Sequence, residues 1–246
     1  MTVNVNLAVN LTVNINIKLL TTPVDCLQLK VVAVTYRVII LGSNKMPKYG
    51  DEAFIYAMAR MEEEQGSDEP EDVIINDINN GFVTIDDIEI PFRERAIIEN
   101  KLYMTIPSDY VLMPQELANI KYPSENKPDI IFMNEDGLIN ISFKLIGIKL
   151  DNKDVETVTD LTRQGIVDGN PACKIISSAI IDEELQIGYF DFVSPVGDSM
   201  IYNLMFLFAL EENIVLGSFN CVYYDRAMWL EIAVQTLRSI RAALHD

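Results

Sequence analysis

Apolar and polar residues alternate along several segments of the chain, which is the pattern of strands that pack one face against a core. Near the N-terminus, Val3, Val5 and Leu7 lie on one side of such a pattern with asparagines between them. A second strand is predicted for residues 28–41. Further strands are predicted after residue 80, in segments 82–92 (with a tight Asp-Asp turn), 100–110, 129–145, 174–182, 185–194 and 200–224.

Two of these segments contain a turn of their own. Segment 129–145 is the clearest hairpin, because two β-rich runs are joined by Asn134–Gly137 with Asp-Gly as the turn chemistry. Segment 200–224 is too long for one strand. The acidic letters LEEN within it predict the point where it splits into two antiparallel strands.

Helical spacing of apolar residues appears in four places. An acidic helix is predicted for 51–66, followed by a polar linker, and a short helix for 113–123, between two prolines. In 150–170 the buried stripe is Val155, Val158, Leu161 and Ile166. The closing helix has one continuous apolar face, formed by Trp229, Ile232, Ala233, Thr236, Leu237, Ile240 and Leu244.

The order of these elements predicts an α+β fold, an antiparallel β-sheet with helices packed on it, preceded by a β-rich and acidic helical N-terminal segment. We place a boundary near residue 80. Residues 1–80 hold the N-terminal strands, the acidic helix and the linker, and residues 81–246 form the α+β domain. The pattern leaves open whether 1–45 join the main sheet or pair between chains to make an oligomer.

The charge of the chain narrows the classes of partner. The formal net charge is −18, and residues 51–90 alone contain thirteen Asp or Glu and one Arg. Nucleic acid and anionic membrane surfaces are disfavoured, because both are bound through clustered Lys and Arg. A membrane span and a signal peptide are not indicated either, so we expect a cytoplasmic protein. The expected partner is another protein, and the acidic balance favours a basic one.

The sequence lacks the residues and motifs that the most common catalytic sites need. His245 is the only histidine and lies one residue from the end of the chain, so Ser-His-Asp and Cys-His catalysis are excluded. Cys26, Cys173 and Cys221 form no CxxC pair, and we expect them to be buried, small apolar residues. Glycine-rich phosphate-binding and nucleophile-elbow motifs are absent. No catalytic residue, cofactor or metal ligand is therefore predicted.

The polar segment KYPSENKP, residues 121–128, is the main candidate for recognition, because it is a loop held between two prolines. The candidate interaction residues are Tyr122, Ser124, Glu125, Asn126 and Lys127. The alternative is that the segment only connects the short helix to the hairpin, with Tyr122 folded against the sheet. A carboxylate- or divalent-metal-dependent enzyme with a site near this loop is the alternative function. Asn220, if buried, would need hydrogen-bond partners and could fix the adjacent turn.

Residues 82–244 resemble the PsbP-like α/β/α sandwich fold. The resemblance rests on the order of elements, on IPSDYVLMP as the entry from a strand through proline to a helix, and on GSFNCVYYDRAMWLEIAVQTLRSI, in which a strand leads into a Trp-bearing helix. That fold is shared by photosystem accessory proteins, a Ran-binding nuclear import factor, mycobacterial lipoproteins and type VI effector chaperones. The resemblance implies a non-enzymatic scaffold that binds proteins. We therefore expect a soluble, bacterial-type interaction module with an accessory, chaperone or immunity-like role.

Overall fold

A computed structural model describes residues 77–85, 87–98, 101–122, 127–196 and 199–243. The strands in these ranges are Phe82–Ile85 (β1), Ile88–Ile98 (β2), Leu102–Pro107 (β3), Val111–Leu112 (β4), Ile130–Met133 (β5), Asn140–Lys149 (β6), Lys174–Asp182 (β7), Gln186–Val196 (β8), Ser199–Leu210 (β9), Asn213–Val222 (β10) and Arg241–Ala242 (β11). The helices are Gln115–Lys121 (α1), Val155–Gly169 (α2) and Arg226–Arg238 (α3), with short 3-10 turns at Ile78–Asn80, Asn152–Asp154 and Tyr223–Asp225.

These strands form two antiparallel sheets. The smaller sheet has the order β1-β2-β3-β11, and the seven-stranded sheet has the order β4-β5-β6-β10-β9-β8-β7. The central strands β10 and β9 are paired over ten residues each. An α+β class with an antiparallel sheet and packed helices is thereby confirmed, although the strands divide into two sheets where the sequence predicted one.

The seven-stranded sheet has an apolar cluster on each of its faces. Along β9, Leu204 and Phe206 belong to one cluster, whereas Met205 and Leu207 belong to the other. Successive side chains of a strand point to opposite faces, so the two clusters are separated by the sheet. Helix α3 and the smaller sheet contribute to the first cluster, and α2 contributes to the second. We call these two surfaces of the seven-stranded sheet the α3 face and the α2 face.

The predicted hairpin turns are confirmed. Gly137 has a φ of 71° in the turn between β5 and β6, and β9 separates from β10 at Glu211 and Glu212. Both glutamates have left-handed φ angles, of 49° and 61°. Two consecutive left-handed residues match the twist of a two-residue hairpin, even though non-glycine residues rarely adopt them. Their carboxylates pair with Lys101 and Lys149 at 2.9 and 2.7 Å.

The buried stripe of α2 differs from the predicted one. Thr159 and Thr162 are buried, whereas Leu161 is only half-buried. Each threonine hydroxyl donates a hydrogen bond of 2.7 Å to the carbonyl oxygen four residues earlier, which satisfies it inside the core. A Cβ atom at Gly188 of β8 would lie 1.9 Å from the Thr159 hydroxyl oxygen. The threonines are buried because this glycine lets α2 approach the sheet closely.

The prediction for the closing helix is wrong at its C-terminal end. Helix α3 ends at Arg238, and the chain then forms β11 against β3. Ile240 is buried as predicted, but outside the helix, and Leu244 lies outside the described residues. The guanidinium of Arg241 donates to both carboxylate oxygens of Glu94 at 2.7 Å each. The backbone pairing with β3 places the terminal segment in the smaller sheet, and the ion pair lies at its surface.

The described part of the chain starts just before the predicted boundary. Ile78 is 2% exposed, and its backbone N–H donates to the side-chain oxygen of Gln235 in α3 at 3.0 Å. The strands and helix predicted within 1–76 lie outside the described residues, so the division near residue 80 stays a prediction. Removing residues up to 81 would remove a buried side chain of the α3 face.

Candidate interaction surface

The predicted recognition loop is described only at its two ends. Tyr122 is half-buried and packs against the apolar cluster beneath α1, and burial raises the pKa of its hydroxyl to about 12. Lys127 donates a hydrogen bond to the side chain of Asn119 on α1. Ser124, Glu125 and Asn126 lie outside the described residues. Tyr122 thus packs against the domain, as the alternative prediction for this segment states. Recognition by the other loop residues stays a prediction.

A different group of polar side chains crosses the middle of the seven-stranded sheet, and we call it the polar strip. It consists of five uncharged residues from four neighbouring strands, namely Ser142 on β6, Ser218 and Asn220 on β10, Asn203 on β9 and Ser194 on β8. Four hydrogen bonds join them in sequence. They are Ser142–Ser218 at 2.9 Å, Ser218–Asn220 at 3.1 Å, Asn220–Asn203 at 2.6 Å and Asn203–Ser194 at 3.1 Å.

The strand register explains why these side chains meet. Ser142 is paired with Ser218, and Asn220 is paired with Asn203. Paired residues of antiparallel strands have their side chains on the same face, at the distance that cross-strand hydrogen bonds need. Leu216 precedes Ser218 by two residues on β10 and belongs to the apolar cluster under α2. The polar strip therefore lies on the α2 face, next to the area that α2 covers.

The strip is accessible over most of its length. Ser194, Asn203, Ser218 and Asn220 are each half-buried, and only Ser142 is buried. Half-buried amide and hydroxyl groups can still form hydrogen bonds with a partner. Because folding has already removed part of the water around them, binding has less water left to remove. The strip therefore offers donors and acceptors at fixed positions, without a charge that binding would have to desolvate.

Asn140 extends the strip toward α1. It is 3% exposed, is paired in register with Asn220, and donates to the carbonyl oxygen of Gly137 at 3.3 Å. Its side-chain oxygen has no hydrogen-bond partner within the described part of the chain. Buried polar atoms are normally satisfied. This end of the strip thus holds a buried acceptor that an ordered water can satisfy.

The ammonium group of Lys144, beside the polar strip, already has partners within the chain. Lys144 follows Ser142 by two residues on β6, and its ammonium group donates to the carbonyl oxygen of Lys127 at 2.9 Å. The same group lies 3.4 Å from a carboxylate oxygen of Asp129. The predicted recognition loop thus ends next to the polar strip, although the sequence gives no sign that the two are neighbours.

Apolar side chains flank the strip on its other side. Ile201 is paired with Val222 and with Ser194, and both apolar residues are half-buried. Val196 is 44% exposed on the same strand as Ser194. Exposed aliphatic side chains next to uncharged polar groups are common in protein interfaces. The strip and its apolar rim together have the composition of a recognition surface.

A second polar cluster lies on the opposite face, and the carboxylate at its centre is inaccessible. Asp191 is 1% exposed, and one of its oxygens accepts bonds from the backbone and hydroxyl of Ser177 at 2.7 and 2.6 Å. The other oxygen accepts from the Tyr202 hydroxyl at 3.1 Å and faces Arg226 at 3.5 Å. Burial and the nearby carboxylate raise the pKa of Tyr202. Since a partner cannot reach the Asp191 carboxylate, the bonds of this cluster serve to hold β7, β8 and the start of α3 together.

The thiols are not reactive groups of a site. Cys173 and Cys221 are buried, and burial raises the pKa of each thiol to about 12. They remain protonated near neutral pH, where a thiolate would be the nucleophile. The sequence prediction of buried cysteines is confirmed for these two, and Cys26 lies outside the described residues.

Within the ranges that the structure describes, no three His, Cys, Asp or Glu side chains are grouped as metal ligands would be. No described helix is long and apolar enough to cross a membrane. The alternative of an enzyme site near residues 121–128 stays a prediction, because four residues of that loop lie outside the described ranges.

Sequence reasoning found one member of the strip and assigned it a different role. Asn220 is half-buried and bonds to Ser218 and to Asn203 on the neighbouring strand, so it has the hydrogen-bond partners that were predicted, and its role at the adjacent turn stays a prediction. The other members were missed. The available signal was a polar residue at a pleat position inside an apolar strand, as at Asn203 in β9. That signal becomes specific only when the register brings several such positions together.

No protein-family model matches this chain, and no curated protein does. Solved structures are similar to it at low sequence identity. The cyanobacterial PsbP (CyanoP) from Synechocystis sp. PCC 6803 is 12% identical and has a TM-score of 0.48, with 71% of this chain and 98% of that chain covered. LpqN of Mycobacterium tuberculosis, involved in cell envelope biogenesis, is 10% identical with a TM-score of 0.42, covering 64% and 94%. The T6SS immunity protein TplEi of Pseudomonas aeruginosa is 12% identical with a TM-score of 0.36, covering 77% and 83%. A PsbP is thus among the solved structures to which this chain is similar.

Proposed function

We propose that this chain is a non-enzymatic protein-interaction module that binds another protein through the polar strip and its apolar rim. The observation that supports the proposal is the continuous chain of four hydrogen bonds between uncharged, mostly half-exposed side chains on otherwise apolar strands. The role is of the accessory, chaperone or immunity-like kind.

The packing of the α2 face supports this role for the strip. Phe190, Met205 and Leu216 lie under α2, and apolar side chains at the strip positions would continue that cluster. The five polar residues of the strip instead end the apolar cluster, so the sheet surface beside α2 is polar. Interfaces between proteins combine such uncharged polar groups with aromatic and aliphatic anchors and contain few charges at their centre. The strip, Ile201 and Val196 match this composition.

The net charge indicates which partners approach fastest. A chain of −18 attracts a basic protein over distances comparable to the Debye length, about 8 Å at physiological salt. Because the strip itself is uncharged, charge affects the rate of association more than the stability of the contact. We expect association to slow with rising salt while dissociation stays nearly constant. Salt-independent association would remove the basic partner from the proposal and leave the strip unaffected.

The experiment compares capture of proteins from an extract of the source cell by three forms of the full chain. They are the wild type, the double variant Asn203→Val with Asn220→Val, and the control Thr157→Val, an exposed residue of α2 away from the strip. We expect one stoichiometric protein on the wild type and the control, and its loss from the double variant. Retention of that protein by the double variant, or no stoichiometric protein on any form, would overturn the proposal.

A further inference from the structure

The last strand of the seven-stranded sheet leaves a long edge. Strand β7 has nine residues, and within the described ranges it is paired only with β8. Between Ile175 and Ile181 it contains no charged residue and no proline. Ser178 and Ala179 at its centre are exposed, and Ile176 is 42% exposed. An edge with these properties is a template for pairing with another strand.

The other outer strands of the two sheets are much shorter. At the far end of the same sheet β4 has two residues, and in the smaller sheet β11 has two and β1 has four. Short strands are one of the ways in which proteins prevent pairing at a sheet edge. Strand β7 has a β-bulge, another feature that discourages edge pairing, but only at one end, where its register shifts between Ile175 and Ser177. The regular part of the edge is therefore Ser177–Asp182.

The hydrogen bonds of the bulge show which backbone groups point outward. The N–H of Ser177 donates to the side chain of Asp191 on β8 at 2.7 Å, so it points toward β8. Backbone groups of consecutive residues in a strand point alternately to the two sides. The N–H and C=O groups of Ser178, Ile180 and Asp182 therefore point to the open side. These three residues can exchange hydrogen bonds with an added strand.

We infer that this edge pairs antiparallel with β7 of a second copy of the chain, around a two-fold axis at Ile180. In this register Ile180 faces Ile180 of the other copy, Ala179 faces Ile181, and Ser178 faces Asp182. Apolar side chains thus oppose apolar ones, and the serine hydroxyl opposes the carboxylate. The two aspartates lie at opposite ends of the paired region, so no like charges are opposed. The edge is self-complementary, as the interface of a two-fold dimer must be.

The charge of the chain sets how the dimer responds to salt. Each copy carries −18, and this repulsion opposes association while the paired strands themselves are nearly uncharged. Raising the salt concentration screens the repulsion. The dimer is therefore strengthened by salt, which is the opposite of the response expected for capture of a basic partner.

The test is the mass of the full chain by sedimentation equilibrium at low and high salt. Ser178→Pro removes an outward N–H and leaves the pairing with β8 intact, since an edge position tolerates proline. Ser178→Ala is its control. We expect a dimer for the wild type and for Ser178→Ala, a monomer for Ser178→Pro, and a higher dimer fraction at high salt. A wild type that is monomeric throughout, or a dimer retained by Ser178→Pro, would overturn the inference.

Cross-linking tests the register independently of stability. In a background with Cys26→Ser, Ile180→Cys brings two identical positions together, at about the 5.5 Å between Cα atoms that suits a disulfide. Ser178→Cys is the control, because its own copy lies four residues away along the partner strand. We expect a disulfide-linked dimer under mild oxidation from Ile180→Cys only. Cross-linking through residue 178 and not 180 would contradict the proposed axis.

Discussion

The double replacement of Asn203 and Asn220 tests whether the polar strip serves binding or the stability of the fold. The two amides share a hydrogen bond of 2.6 Å, and both side chains are half-buried. Replacing one of them removes this bond from the other, which keeps its bonds to Ser194 or Ser218, and costs about 1 kcal/mol in the free energy of unfolding. Water can reach the orphaned group, so the cost stays at the low end of the range for buried groups.

Replacing both asparagines by valine gives a smaller effect than the sum of the single replacements. No orphan amide remains, valine suits a strand, and Ser218 keeps its bond to Ser142. We expect each single variant to lose about 1 kcal/mol and the double variant to lose less than about 1 kcal/mol, which is a coupling of more than about 1 kcal/mol. Urea unfolding of the four forms, with equal m-values, measures this cycle.

A loss of more than about 3 kcal/mol in the double variant would refute this reasoning, because it is well above the usual worth of one half-exposed hydrogen bond. The strip would then be part of what holds the sheet together. In that case the loss of a partner from the double variant would report unfolding rather than recognition.

Three further predictions concern the rest of the domain. Gly188→Ala forces α2 away from the sheet and should lower the free energy of unfolding by about 2–3 kcal/mol. The control is Gly147→Ala, whose Cβ would meet nothing within 4 Å and which should change that free energy by less than about 1 kcal/mol. Equal urea midpoints for the two variants would contradict the close approach of α2 to the sheet. The hydrogen bond from Arg241 lowers the pKa of Glu94, so that pair stabilises the fold above the ordinary pKa of 4.5, and its contribution is lost as the pH falls through the lowered value. Glu94→Gln should therefore be less stable than the wild type at pH 7 by less than about 1 kcal/mol and equal to it in strong acid, and a difference that grows toward low pH would exclude this origin. Asp191→Asn leaves a partly buried guanidinium without its counter-charge and should cost about 3 kcal/mol, as measured by urea unfolding; a cost below about 1 kcal/mol would show that the cluster is not structural.

The fold could be predicted from the sequence wherever the physics is local. Alternation of apolar residues identified the strands, and turn chemistry identified the hairpin at Gly137 and the split at Glu211. The end of α3 could not be found in this way. The apolar spacing continues past Arg238 to Ile240, but after Arg238 the backbone pairs with β3, whose residues lie more than 130 positions earlier in the chain.

The candidate surface was less predictable because it depends on register. The members of the polar strip come from four strands, and Ser142 and Ser218 are separated by 76 residues. Within any one strand these one or two polar residues look like ordinary solvent-facing positions of the pleat. The loop 121–128 was a sound choice from local chemistry, and its described end at Lys127 does lie beside the strip through Lys144. Which strands are neighbours decides the site, and local patterns do not determine that order.

The most direct test of the account is the affinity of the captured partner protein for the wild type and for the double variant of Asn203 and Asn220, measured by titration under conditions where both are folded. The account predicts binding at least about tenfold weaker for the variant, which corresponds to about 1.4 kcal/mol, together with an unchanged affinity for Thr157→Val. An unchanged affinity for the folded double variant would contradict it and place the binding surface elsewhere on the chain.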